Sequence, residues 1–244
     1  MKLPQLTSSD IKHVSFDVWN TLITSSQSFP KARFEVIMGD YELPRSFTQS
    51  FITSYRYVKH TLDTNAENAG TALSTTEIYQ MLAAAVGVSK TKGQCIALKT
   101  KIHKLFEEHP PVLSEDTIKS LIELSDNGFT ISIGSNSNFI SGSVMYPFLK
   151  SHIPSLRFGV FSDLELVSKP HPCFFDSVIQ QARECNKDAI TPSNILHVGD
   201  NAACDGYGPI GVGMNSWLIS SPSDIPQLTK ELITYGQCIT KFVV

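Results

Sequence analysis

Five short apolar runs, each ending at or just before a small or polar residue, constrain the fold of this chain more than any other feature. Runs of this length are typical of strands that are buried on both faces, as in parallel sheets. Helical patterns separate several of them. One pattern begins at Ser114, a favoured N-cap, and ends at Asn127-Gly128, a favoured helix stop. We therefore predict an α/β fold with polar residues at the carboxyl ends of parallel strands. The predicted strands are residues 13–17, 129–134, 158–162, 195–199 and 215–219, and the clearest helices among them are 114–128 and 172–186.

The segment after the first strand has a different pattern. Residues 75–86 and 95–106 each place apolar side chains on one helical stripe, and no convincing strand accompanies them. Turn- and proline-rich sequences, ITSSQSFP and EHPPVLSED, flank the segment as linkers do. We predict a helical unit inserted into the α/β core. The predicted division is a core of residues 1–23 and 111–244 and a helical cap of residues 24–110.

Composition narrows the class of partner. The 244 residues are 41% hydrophobic and 18% charged, so the chain can bury a sizeable core. The net charge of −3 is unlike the basic stripe of a nucleic-acid binder, so we expect no nucleic-acid partner, and any anionic ligand must be held by local groups. The five cysteines form no CxxC pair, no apolar run approaches the ~18 residues of a membrane span, and the N-terminus has no apolar leader. We expect a cytoplasmic protein without a membrane partner.

Polar residues follow the first two predicted strands. Asp17 stands in HVSFDVWNTLI, with Trp19 two positions later. Ser135 and Asn136 stand in ISIGSNSN, where small residues let backbone N–H groups approach an anion. Each feature alone also fits a helix cap or a turn. Neither is sufficient evidence of catalysis by itself.

Two further features lie downstream. Lys169 stands in SKPHP, where Pro170 restricts it to extended geometry, although an isolated Lys-Pro is commonly solvated surface. Asp200 and Asp205 stand in HVGDNAACD, after Gly199. Two carboxylates in this position can form a site for a hard metal ion, or they can cap the next helix.

Taken together, the four features resemble the haloacid dehalogenase (HAD) superfamily of hydrolases. They occur in the order Asp, Ser, Lys-Pro, Gly-Asp with a second Asp, and an inserted helical segment follows the first. The resemblance covers the whole chain. It implies a Rossmann-like parallel sheet core with an α-helical cap of the C1 type inserted after the first strand.

The resemblance also implies catalytic roles. Asp17 would be the nucleophile, forming a covalent aspartyl intermediate. Ser135, Asn136 and Lys169 would bind the transferred group, and Lys169 would also keep Asp17 ionised. The cap would close over this site and select the substrate.

A magnesium site is implied as well. Mg²⁺ would be held by the Asp17 side chain, the main-chain carbonyl of Trp19 and Asp200. Asp205 would either support these ligands from behind or hold a metal-bound water.

The sequence departs from the commonest family pattern at Trp19. Most phosphatases of the superfamily have a second Asp at plus two, which protonates the leaving group, and an indole cannot do this. The main hypothesis is a Mg²⁺-dependent phosphatase that acts on a small phosphorylated metabolite. A metal-independent 2-haloacid dehalogenase is an alternative, because those enzymes also have an aromatic residue there, but they carry Ser-Asn where this chain has Gly199-Asp200. A weakly active or non-catalytic member that binds a phosphorylated ligand or a protein is the third.

Overall fold

The computed structural model describes residues 10–187 and 189–240, with side chains up to residue 234. The predicted core segments 1–23 and 111–244 therefore extend beyond the described residues at both ends. Residues 1–9, which bear on the expectation of no apolar leader, and the Cys238 side chain also lie outside the described residues. None of the described helices is long and apolar enough to span a membrane.

Seven strands and ten α-helices make up the described chain. The strands are β1 (His13–Phe16), β2 (Ile23–Thr24), β3 (Val112–Leu113), β4 (Thr130–Ser135), β5 (Leu156–Phe161), β6 (Ile195–Gly199) and β7 (Asn215–Leu218). The helices are α1 (Phe29–Asp40), α2 (Thr48–Ala69), α3 (Thr75–Ala85), α4 (Lys92–Glu108), α5 (Glu115–Asp126), α6 (Gly142–His152), α7 (Ser162–Glu165), α8 (Pro172–Cys185), α9 (Gly208–Gly211) and α10 (Ile225–Thr240).

The main sheet is parallel and has the order β5-β4-β1-β6-β7. All five predicted strands belong to it, so the predicted α/β fold is confirmed. β1 lies at its centre, between β4 and β6, which brings the carboxyl ends of these three strands together. The crossover order makes this edge of the sheet the expected position for a site.

Two apolar clusters stabilise the core. The larger one combines β1 and β4 with α5, α10 and the helices of the inserted segment. The smaller one packs α8 against β5 and β6, with Phe174, Phe175 and Val178 fully buried. Helices thus cover the sheet, and its strands are buried along almost their whole length.

The inserted segment enters and leaves the core through a pair of very short strands. β2 and β3 pair antiparallel, with Ile23 opposite Leu113 and Thr24 opposite Val112. The sequence patterns did not predict these strands, because each has two residues and lies in a linker-like sequence. Helices α1–α4 lie between them in the chain. The exact cap boundaries at residues 24 and 110 stay a prediction.

Local signals start the predicted helices. Ser74 and Thr91 form capping boxes with Glu77 and Gln94 at the starts of α3 and α4, and Ser114 accepts a hydrogen bond from the Thr117 N–H at the start of α5. Helix α6 was not predicted, and it carries Pro147 inside its length.

Candidate active site

The strand ends bring three of the predicted residues to one edge of the sheet. Asp17 follows β1 directly, and its N–H donates to the Val198 carbonyl of β6 at 2.8 Å. Ser135 ends β4, and Asp200 follows Gly199 at the end of β6. Parallel pairing of adjacent strands is the reason that residues far apart in sequence meet here.

Lys169 lies at the centre of the site and is 1% exposed. Its ammonium donates to Asp17 Oδ1 at 2.8 Å, to Asp205 Oδ1 at 2.6 Å and to the Gly134 carbonyl at 2.8 Å. These three acceptors match the three donors of an ammonium group. Burial opposes the charge, but Asp17 and Asp205 outweigh burial and raise the pKa of Lys169, so it stays positively charged. The surface alternative for this lysine is therefore wrong.

Asp205 is the best-bonded carboxylate of the site. Its Oδ1 also contacts His197 Nε2 at 3.1 Å, and its Oδ2 accepts from the Asn201 N–H at 2.9 Å. Burial alone would raise the pKa of Asp205, but the Lys169 ammonium and the His197 hydrogen bond more than offset this and lower it. Asp205 is thus a buried anion with both oxygens engaged.

Asp17 is held more loosely. Besides Lys169, its only other described side-chain hydrogen-bond donor is Thr21, whose hydroxyl lies 3.4 Å from Asp17 Oδ2. Burial, followed by the charge of Asp205, raises the pKa of Asp17, and the opposing effect of Lys169 does not cancel this. Asp17 Oδ2 is therefore less strongly hydrogen-bonded than the oxygens of Asp205. A nucleophilic oxygen requires this freedom.

His197 is a member of this network that the sequence reasoning missed. It is fully buried in β6, and its Nδ1 lies 3.2 Å from the Ser15 hydroxyl of β1. Burial and the nearby Lys169 lower the pKa of His197, so the neutral ring can donate from Nε2 to Asp205 and accept from Ser15 at Nδ1. A histidine within the otherwise apolar run ILHVG was the signal available in the sequence.

The loop that carries Lys169 is clamped by Asn136. The Asn136 Oδ1 accepts from the Lys169 N–H at 2.8 Å, and its Nδ2 donates to the Lys169 carbonyl at 3.0 Å. The Cys204 thiol also donates to that carbonyl at 3.4 Å. The Lys169–Pro170 peptide bond is cis. The oxygen and the nitrogen of the Asn136 side-chain amide are therefore both hydrogen-bonded to the backbone of Lys169. Both residues are predicted to bind substrate.

Ser135 is placed differently from its neighbours. It is 1% exposed, and its hydroxyl makes a long contact of 3.4 Å with the Asn136 carbonyl. In the described part of the chain, Asn136 and Ser137 line the cavity at this edge of the sheet, and Ser135 does not. A substrate contact by Ser135 stays a prediction.

Gly199 and the turn after β6 set the position of Asp205. A Cβ atom on Gly199 would lie 2.2 Å from Asp205 Cγ, so a glycine is required for this close approach. Asp205 lies in a π-helical turn, Ala202–Tyr207, where the Gly208 N–H donates to the Ala203 carbonyl five residues earlier. Turns of this type are frequent at functional sites.

Three carboxylates form a group that could hold a cation. One oxygen each from Asp17, Asp200 and Asp205 lies within 4.8 Å of the others. Burial, Asp17 and Asp205 together raise the pKa of Asp200, whose Oδ2 accepts a 3.4 Å hydrogen bond from Asn20. A cation would relieve this repulsion, and an all-oxygen donor set suits a hard ion such as Mg²⁺. The residues present therefore fit the metal that the acidic pattern predicts.

A cavity of about 460 Å³ lies over this cluster and is lined by both parts of the chain. From α2, Glu67 accepts from Asn201 Nδ2 at 2.8 Å, and Asp63 accepts from Asn138 Nδ2 at 3.1 Å. Each bond joins the inserted segment to the core. The sequence did not predict these contacts, because helical periodicity shows which face is apolar and not what that face meets.

Comparisons with known proteins agree with this geometry. Residues 11–208 match the family model described as haloacid dehalogenase-like hydrolase. No curated protein sequence matches the chain significantly.

Solved structures share the fold at low sequence identity. The HAD-hydrolase YfnB from Bacillus subtilis bound to magnesium has a TM-score of 0.62 at 15% identity, covering 90% of this chain and 99% of that one. A 2-haloacid dehalogenase from Pseudomonas syringae pv. Tomato DC3000 has a TM-score of 0.59 at 16% identity, covering 91% of this chain and 99% of that one. A HAD phosphatase from Thermococcus onnurineus has a TM-score of 0.58 at 15% identity, covering 89% of this chain and 97% of that one. The family match spans more than half of the residues, so this chain belongs to the haloacid dehalogenase-like hydrolases.

Proposed function

We propose that the protein is a Mg²⁺-dependent phosphatase that acts on a small phosphorylated metabolite through an aspartyl-phosphate on Asp17. The observation that carries this proposal is the grouping of one oxygen each from Asp17, Asp200 and Asp205 within 4.8 Å, with the buried Lys169 ion-paired to Asp17 and Asp205. Three carboxylates so close together are costly without a second cation, since like charges raise one another's pKa. A metal-dependent site accounts for Asp200, which the dehalogenase alternative does not.

The residues divide the work as follows. An Asp17 carboxylate oxygen attacks phosphorus, and the bond from phosphorus to the leaving oxygen breaks. The charge of Lys169 stabilises the anionic oxygens of the transferred group and favours ionised Asp17. Water then hydrolyses the aspartyl-phosphate, which regenerates Asp17 and releases inorganic phosphate.

The side chains of Asp17 and Asp200 and the carbonyl of Trp19 would hold Mg²⁺, which offsets repulsion between the anionic nucleophile and an anionic substrate. We assign Asp205 to positioning Lys169, because both its oxygens are already bonded.

The absence of an acid at position 19 selects the substrate. No carboxylate stands two residues after Asp17 to protonate a leaving alkoxide. Leaving groups that depart without a proton, such as those of acyl or aryl phosphates, suit the site best. We expect slow hydrolysis of the intermediate for the same reason, since the plus-two acid normally activates the water.

The test is turnover of an aryl phosphate by wild type and Asp17→Asn. With Mg²⁺ we expect phosphate release by wild type, protein-bound phosphate after an acid quench, and loss of both in Asp17→Asn. EDTA should abolish turnover. Halide release from a 2-haloacid in the presence of EDTA would instead support the dehalogenase alternative. Mg²⁺ binding with no turnover of a broad substrate panel would support the non-catalytic alternative.

We also propose that the protein works in the cytoplasm. The four cysteines whose side chains are described, Cys95, Cys173, Cys185 and Cys204, are all free thiols, as is usual in a reducing compartment. Alkylation of the native protein from a cell extract, followed by mass spectrometry, would detect any disulfide that contradicts this.

A further inference from the structure

Five of the eight charged residues that line the cavity are ion-paired with one another, and two of the three cations, Lys59 and Lys169, are among them. Lys169 is paired with Asp17 and Asp205, and Lys59 lies 2.6 Å from Asp63. Arg33 of α1 is different, because none of the described carboxylates lies within 4.0 Å of its guanidinium. The charged residues of the lining are Asp17, Arg33, Lys59, Asp63, Glu67, Lys169, Asp200 and Asp205.

Aromatic rings hold Arg33 in place. Its Cζ lies 5.3 Å from the ring centre of Phe29, 5.2 Å from that of Tyr55 and 5.5 Å from that of Phe139. Its Nη2 donates to the Tyr55 hydroxyl at 2.5 Å. Tyr55 in turn stacks on Phe139 with centroids 4.7 Å apart. The guanidinium is fixed by π faces and one neutral oxygen, so most of its five donors stay available.

The position of Arg33 joins it to the reaction site. Phe29, Tyr55 and Phe139 line the same cavity as Asp17 and Lys169. Phe139 follows Asn136 by three residues, in the loop after β4. A ligand that fills the cavity can therefore meet both Lys169 and Arg33. A partly desolvated arginine without a carboxylate partner is well suited to a carboxylate or a phosphate, which it can bind through two parallel hydrogen bonds.

We propose that Arg33 binds a second anionic group of the substrate, a carboxylate or a phosphate, remote from the phosphoryl group that Asp17 attacks. This rests on the proposed function for the identity of the reacting group. It narrows the substrate class to phosphorylated compounds with two anionic groups. Arg33 is then a specificity-determining residue on the inserted segment, and the aromatic rings around it contact the part of the substrate between its two anionic groups.

Three aryl phosphates test the proposal by steady-state kinetics: phenyl phosphate, 4-carboxyphenyl phosphate and 1,4-phenylene bisphosphate. Charge-assisted hydrogen bonds are worth about 1.5–3 kcal/mol, or roughly 10- to 100-fold in affinity. We expect Arg33→Met to raise KM by that factor for the substrates with a second anionic group, and by less than about threefold for phenyl phosphate. The KM values for 4-carboxyphenyl phosphate and 1,4-phenylene bisphosphate show whether the site prefers a carboxylate or a phosphate as the second anionic group.

Two further variants separate recognition from structure. Arg33→Lys keeps the charge but loses the planar fork, so its KM should lie between those of wild type and Arg33→Met. Lys31→Met removes an exposed cation from the same helix, outside the cavity lining, and should leave all three KM values unchanged. An equal rise of KM for all three substrates in Arg33→Met would mean that Arg33 only braces the cap.

A binding experiment separates this proposal from the proposed function. Calorimetry with Asp17→Asn compares 4-phosphonobenzoate with phenylphosphonate, and neither needs turnover. Tighter binding of 4-phosphonobenzoate by about tenfold or more, lost on adding Arg33→Met, supports the subsite even if wild type hydrolyses nothing. Equal affinity for the two probes, or no binding of either, overturns it even if wild type is an active phosphatase.

Discussion

Trp19 lines the cavity two residues after the nucleophile that we propose, and it is only partly buried. Its indole N–H can donate a hydrogen bond but cannot transfer a proton to a leaving alkoxide. General acid assistance is typically worth ~10² to 10⁴ in rate. In the phosphatase that we propose, this one side chain would therefore account for slow turnover of ordinary phosphomonoesters.

Trp19→Asp should raise kcat/KM for an alkyl phosphate by at least about tenfold, because it supplies the missing acid. The gain on an aryl phosphate should be smaller, because that leaving group departs without a proton. The measurement is phosphate release from the two substrates. Trp19→Phe removes the indole without adding an acid and should give no gain. A folded Trp19→Asp protein without improvement on the alkyl substrate would show that another group already supplies the proton.

At the residue scale, the sequence predicted the polar residues that follow strand ends and missed those inside strands or on the cap. Asp17, Lys169 and Asp205, which the structure brings into contact, were predicted from the order and spacing of their motifs. His197 and Ser15 were not, since a single polar residue in an apolar run gives no direction. Arg33 was missed because its role depends on Phe139, which is more than a hundred residues away in the chain.

At the scale of elements, the loop before α8 is held from two sides. Asn136, after β4, bonds both backbone groups of Lys169. On the other side, the Ser168 N–H donates to the Gly70 carbonyl at 2.9 Å, and its hydroxyl donates to the Thr71 carbonyl at 3.1 Å. Gly70 ends α2 in the left-handed region with φ of 61°, where glycine is favoured. The end of α2 and the end of β4 therefore fix the same loop, the one that carries Lys169.

Asn136→Ala should lower kcat for an aryl phosphate by roughly tenfold or more, because it removes two hydrogen bonds, each worth about 1 kcal/mol, that orient the Lys169 loop. Ser114→Ala is the matched control. It removes the N-cap of α5 and about 1 kcal/mol of stability without touching this loop, so its kcat should stay unchanged. Thermal unfolding and steady-state kinetics check both. Equal kcat in the two variants would refute the positioning role of Asn136.

Whether a strand was predicted from the sequence depended on its length. The bounds of the five sheet strands were predicted to within one residue, apart from one bound that differs by two. The exception was the start of β5, at Leu156, because Arg157 interrupts the apolar run there. β2 and β3 were missed because two-residue strands carry no periodicity, and α6 because Pro147 is read as a helix breaker.

At the scale of the whole molecule, His13 couples the central sheet to pH. It is fully buried in β1 and contacts two hydroxyls of β4. Its Nδ1 lies 2.7 Å from the Thr130 hydroxyl, and its Nε2 lies 2.7 Å from the Ser132 hydroxyl. Its ring stacks on Phe158 of β5. Burial lowers the pKa of His13 to about 3, so the folded protein keeps this ring neutral.

The free energy of unfolding should fall as the pH drops from about 6.5 towards 3, because over that range the unfolded chain protonates His13 and the folded protein does not. At pH 5 this loss is about 2 kcal/mol. His13→Gln keeps a polar side chain that cannot titrate. For this variant, the slope of the free energy of unfolding against pH should therefore be smaller than for wild type, by an amount equivalent to the uptake of up to one proton. Urea unfolding at pH 7, 6 and 5 measures the difference, and parallel pH profiles for the two proteins would contradict it.

The π-helical turn Ala202–Tyr207 has a consequence for comparing related chains. Successive residues of a regular helix are rotated by about 100°, so deleting one residue of this turn before Asp205 would rotate Asp205 away from Lys169 by about that angle. A related chain could then carry every side chain of this site and still lack the ion pair between the aspartate and the lysine. An insertion or deletion between Gly199 and Asp205 is therefore a better sign of a lost ion pair than most substitutions. Alignments of this family are best screened for gaps there before function is transferred.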